Sequence, residues 1–140
     1  MSDRARGSGS SRSRAIDYLP IVLFIACYVA AEYYWDVPPW VAVLYLVASI
    51  VTLIAYAIDK SRAKRGRWRI SEGALNLLAF IGGWPGAIVA QQTLRHKTIK
   101  ASFRRKFWMA VVANILLFVI IASPWGRELL ATIPGLPQPA

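Results

Sequence analysis

One cysteine, Cys27, and one histidine, His96, are all that this chain of 140 residues holds of the two best transition-metal ligands. That scarcity excludes a disulfide framework, a Cys-based zinc or iron-sulfur cluster and a two-His metal site within one chain. No H-E-x-x-H, G-x-S-x-G or Walker loop occurs, and the S-x-x-K match at Ser61 to Lys64 lacks its companion motifs, so the common hydrolase and nucleotide signatures are missing. Acid is scarce too: seven Asp and Glu stand against seventeen Lys and Arg, leaving +10 at pH 7. Glu32 is the one charge that lies within an apolar run and away from its basic end, three residues before Trp35 at the expected interface. A proton relay across a bilayer therefore lacks its carboxylates.

What the chain has in quantity is apolar surface. At 56% hydrophobic residues and a mean hydropathy of +0.43 it is too apolar for a soluble domain of this length. Residues 1–14, MSDRARGSGSSRSR, have four Arg and nothing large to bury, and are expected to form a disordered tail. Four apolar runs follow, at 16–35, 40–58, 74–94 and 107–123, making a membrane domain over 15–126, and a Pro-rich tail covers 127–140. The second run has 19 uncharged residues, about 28 Å as a helix, which matches a hydrocarbon core of roughly 30 Å. Asp36-Val37-Pro38-Pro39 breaks it from the first run, so these two helices are antiparallel neighbours.

The third run carries Gly82-Gly83-Trp84-Pro85-Gly86 at its centre, where Pro85 has no N–H and clashes with the carbonyl near Ile81. Charge bears on how this run lies. Four basic residues precede the first run, six (Lys60 to Arg69) lie between runs two and three, and six (Arg95 to Lys106) between runs three and four. If all four runs cross, the last six fall outside, against the tendency of Lys and Arg to remain cytoplasmic. If the third run enters and turns back at Gly82, Gly83, Pro85 and Gly86, every basic residue but Arg127 lies on one side. The expected fold is an all-α integral membrane protein with three transmembrane helices plus a re-entrant or kinked Gly/Pro-broken segment, the alternative being four full spans. The N-terminus is cytoplasmic in either case.

Three patches place polar groups where a bilayer makes them costly or where charge is dense. Asp59 ends the second run, where a carboxylate opposes the helix dipole and needs a cation, with Arg69 the natural partner; Lys60 and Glu72 flank them. Ser71 is placed to cap the third run. The glycine turn is the second patch. The third is Arg95-His96-Lys97-Thr98-Ile99-Lys100 and the basic residues after it, the makeup of an anionic headgroup site worth about 1 kcal/mol per basic residue near the surface.

The series Asp59-Lys60-x-x-Ala63, Trp68-Arg69-Ile70-x-Glu72, Gly82-Gly83-Trp84-Pro85-Gly86-Ala87 and Arg95-His96-Lys97-Thr98-x-Lys100-x-x-Phe103 resembles the bacterial family "domain of unknown function 1294". The likeness runs from about Trp40 to Ser123. It implies a small multi-pass protein of the bacterial inner membrane without an established activity. Some members carry a cold-shock domain ahead of the membrane part, which the first 14 residues here cannot form.

Three readings follow. The first is a non-enzymatic module binding an anionic ligand or lipid headgroup at a basic cytoplasmic face through Asp59, Lys60, Arg69, Glu72, Arg95, His96, Lys97 and Lys100. The second is an enzyme on a lipid-linked or phosphorylated substrate with His96 as general base, oriented by Asp59 or Glu72. The third is a helical partner within a larger membrane complex. No cofactor or metal is expected. Membrane lipids are the expected partners, with a homo-oligomer or another membrane protein beside them, and nucleic acid is reached only through charge on the Arg-rich tail.

Overall fold

The computed structural model describes residues 15–94 and 100–135, which are helical with no strand among them. The helices are α1 (Leu19–Trp35), α2 (Pro39–Lys64), α3 (Glu72–Leu78), α4 (Trp84–Thr93), α5 (Ala101–Ala122) and α6 (Pro124–Ala131), with a π-helical turn, Ala79–Gly83, between α3 and α4. Four stretches, Ala15–Trp35, Pro39–Lys64, Glu72–Thr93 and Ala101–Ala122, are long and apolar enough to cross a membrane, as four spans would require. Their outward faces are apolar: Leu46, Met109 and Val29 are each more than half exposed, the surface a bilayer would cover.

The ends of the helices follow from local chemistry. Pro39 opens α2, where its missing N–H costs nothing. The α2 helix runs six residues past the expected Ile58, with Arg62 and Lys64 in a last turn whose dipole favours cations. Gly66, at φ 64°, then stops it, and the Arg67 N–H reaches back to the Arg62 carbonyl at 3.0 Å. Ser71 caps α3 as expected, its hydroxyl accepting from the Ala74 N–H at 3.2 Å. The α5 helix begins six residues before the expected Phe107, so Arg104, Arg105 and Lys106 lie on helix rather than in a loop. Just past the fourth run, Pro124 opens the short helix α6 under a Ser123 cap, and that helix continues to Ala131, within the expected Pro-rich tail.

The third stretch is not one straight rod, and its contacts with α2 show its path. It starts at Ile70, whose N–H donates to Asp59 Oδ1 at 2.9 Å. It reaches Gly82 against the ring of Tyr45, 14 residues or about 21 Å back along α2. It then returns: Gly86 lies on the Ser49 backbone, Gln91 Nε2 donates to the Tyr56 hydroxyl at 3.2 Å, and Lys60 Nζ donates to the Leu94 carbonyl. Thus α3 runs antiparallel to α2 and α4 parallel to it, and both ends of the hairpin sit at the C-terminal end of α2.

The break is at Gly82, with φ 129° and ψ 1°, a conformation that a side chain strains. Pro85 is not the break: it lies in the first turn of α4, where proline is well tolerated. The arms are 7 and 10 residues long. Both arms pack on α2; α3 and the π-helical turn also pack on α5, and Phe24 of α1 meets Trp84 edge-on at 5.1 Å.

Candidate functional site

At the C-terminal end of α2, Asp59 is 1% exposed and accepts from Arg69 Nη2 at 3.3 Å as well as from the Ile70 N–H. Because α2 continues to Lys64, the carboxylate is not at the helix end; what it must offset is its burial, and the guanidinium and the amide do so while tying the segment between α2 and α3 back onto α2. Arg69 itself is 59% exposed, so one face of its guanidinium remains toward solvent.

Two further contacts gather the ends of the hairpin at this level. Lys60 donates to the Leu94 carbonyl, a cation on the C-terminal carbonyls of α4, where the dipole favours it. Lys100, just ahead of α5, pairs with Glu72 of α3 at 3.3 Å on the surface. Asp59, Lys60, Arg69, Glu72 and Lys100 therefore share one end of the bundle. Arg95, His96 and Lys97 lie outside the described residues; the described residues on either side of them, Leu94 and Lys100, are at that end.

The opposite end is closed by one cation. Arg127 of α6 donates from Nη2 to the carbonyls of Trp35 at 2.7 Å and Asp36 at 3.1 Å, capping α1 and supporting the left-handed Asp36. The bundle thus has an end dense in Lys and Arg and an end with Arg127.

The turn of the hairpin is held by side chains that sequence reasoning passed over. Asn114, midway along α5 and 4% exposed, accepts from the Tyr45 hydroxyl at 2.7 Å and from Trp84 Nε1 at 3.1 Å. Its Nδ2 donates to the Phe80 carbonyl at 2.7 Å, in the π-helical turn where the regular ladder fails. One amide so satisfies both sides of the break. The signal was present: Asn114 is the one amide or charge in the run 107–123. Gly83 and Gly86 allow the close approach to α2, since a Cβ on the first would strike Thr52 Oγ1 and the Ala48 carbonyl, and on the second the Ser49 backbone.

Comparison with known proteins converges on the same stretch. The family profile described as "Protein of unknown function (DUF1294)" matches residues 49–103, from the middle of α2 through the whole hairpin into the first turn of α5. An uncharacterized protein of Bacillus subtilis (strain 168), YsdA, is 41% identical over 68 residues, which are 49% of this chain and 76% of that protein. No solved structure matches the chain significantly.

Proposed function

The chain belongs to the DUF1294 family of proteins of unknown function, and from that premise we propose that it is a module of the bacterial inner membrane binding a phosphate-bearing anion at a basic cytoplasmic face. In this reading α1, α2 and α5 cross the bilayer and the α3–α4 hairpin enters and leaves from the cytoplasmic side. The N-terminal tail and both Lys/Arg-rich segments then obey the preference of basic residues for the cytoplasm. The single observation that carries it is the gathering of Asp59, Lys60, Arg69, Glu72 and Lys100 at one end, with Leu94 beside Lys60.

Asp59 orients Arg69, and a solvent-exposed guanidinium suits the two-pronged geometry in which Arg meets a phosphate. Lys60 and Glu72 hold the hairpin ends in place, and Arg95, His96, Lys97 and Lys100 complete the anion contacts. An anionic phospholipid headgroup is the simplest ligand, because the site lies at the membrane surface where about 1 kcal/mol per basic residue is available.

The test is retention of phosphatidylglycerol by the purified protein, with Lys97→Ala and Lys100→Ala combined. Removing two such charges is expected to weaken retention roughly tenfold or more. Retention unchanged by the double substitution would contradict the proposal.

A further inference from the structure

Helix α1 meets the rest of the bundle through the ring of Phe24, tilted against Tyr45 and edge-on to Trp84 and Phe118, and through Tyr28, which stacks on Phe118. Beside this contact a crevice of about 1030 Å³ runs between α1 and α5, floored by α4. Its volume is at the upper end of the range of ligand sites, and it opens sideways toward the lipid.

The crevice has a direction. On the first apolar stretch, Ala15–Trp35, it extends from Ile16 to Cys27 and on α5 from Arg104 to Ile115, in each case 11 residues or about 16 Å. That is half of a hydrocarbon core of roughly 30 Å, the depth of one leaflet. Its polar residues, Asp17, Gln91, Gln92 and Arg104, all lie at the basic end, and Ile88, Val111 and Ile115 line the deeper part. A helix of another protein would run the full depth of the membrane and need an apolar face throughout. A groove one leaflet deep and polar only at its mouth fits one chain of a lipid.

Among the described residues that line the mouth there are one cation, Arg104, and one anion, Asp17. Arg104 suits a phosphate, the Gln92 amide suits a phosphate or ester oxygen, and Asp17 suits a positively charged hydrogen-bond donor. We propose that this crevice holds a single zwitterionic aminophospholipid of the phosphatidylethanolamine type, with an acyl chain along Ile88, Val111 and Ile115, its phosphate on Arg104 and its ammonium on Asp17. A choline headgroup has no N–H to give Asp17, and an anionic headgroup offers it no opposite charge. This site is separate from the phosphate contacts proposed for the loops and does not depend on them.

The full chain, extracted into detergent with equimolar phosphatidylethanolamine, phosphatidylcholine and phosphatidylglycerol, is examined by native mass spectrometry for the lipids that stay bound. Phosphatidylethanolamine is expected to exceed phosphatidylcholine about tenfold, the worth of a charged hydrogen bond. Asp17→Asn is expected to erase that preference while leaving lipid bound, Arg104→Gln to reduce retention of both, and Ile115→Trp to empty the crevice. Asp17 and Arg104 are exposed, so their replacement spares the packing, and an unchanged melting temperature checks it. Equal retention of the two zwitterionic lipids would overturn the proposal. So would a phosphatidylglycerol preference that survives Asp17→Asn, which would assign the bound lipid to the basic loops instead.

Discussion

Asn114 is where a single side chain decides most. Its amide sits mid-helix in an apolar segment and meets a hydroxyl, an indole N–H and a carbonyl left over from the broken ladder. Asn114→Leu keeps the volume but leaves Trp84 Nε1 and the Phe80 carbonyl without partners. We expect a loss of about 2 kcal/mol in reversible unfolding in detergent. Unchanged or raised stability would show that the turn does not need the clamp. The Asp59–Arg69 pair is found as expected, but not for the expected reason: α2 continues to Lys64, so it is the burial of Asp59 rather than the helix dipole that calls for a cation. The three partners of Asn114 could not be anticipated, since they come from three elements whose juxtaposition no local spacing encodes.

The hairpin is the element that sets this fold apart, and its break separates two glycine and proline roles that the sequence presents as one cluster. Pro85 stands in the first turn of α4, so Pro85→Ala is expected to cost less than about 1 kcal/mol. Gly83→Ala drives a methyl into the Ala48 carbonyl and Thr52 and should cost about 2 kcal/mol or more, because backbone cannot step aside as a side chain can. Equal effects of the two, read by thermal unfolding, would contradict the assignment of the turn to Gly82. The existence of a break was legible from the Gly/Pro density of residues 82–86. The residue at which the chain reverses was not, since Gly82, Gly83 and Gly86 look alike until α2 is placed beside them. The helices outrun the apolar runs at their charged ends, to Lys64 in α2 and from Ala101 in α5, because a hydropathy run stops at the first charge while a helix continues into the interface.

At the scale of the whole molecule the sequence shows the inventory of charge, and the packing shows its arrangement: Lys60 on Leu94 and Glu72 on Lys100 bring to one end what four straight spans would divide. The two crevice walls, α1 and α5, start at that same end, so a headgroup at the mouth and an anion at the loops would face the same compartment. Everything in this account rests on that shared side. The most direct measurement replaces Cys27 with serine, places a single cysteine at Ser102 in the exposed first turn of α5, and treats intact cells with a membrane-impermeant maleimide. No labelling until the cells are opened is the predicted result, with a cysteine at Thr132 beyond α6 labelled from outside as the control. Labelling of the Ser102 cysteine in intact cells would mean that the third segment crosses the bilayer, and would divide the basic face between two compartments.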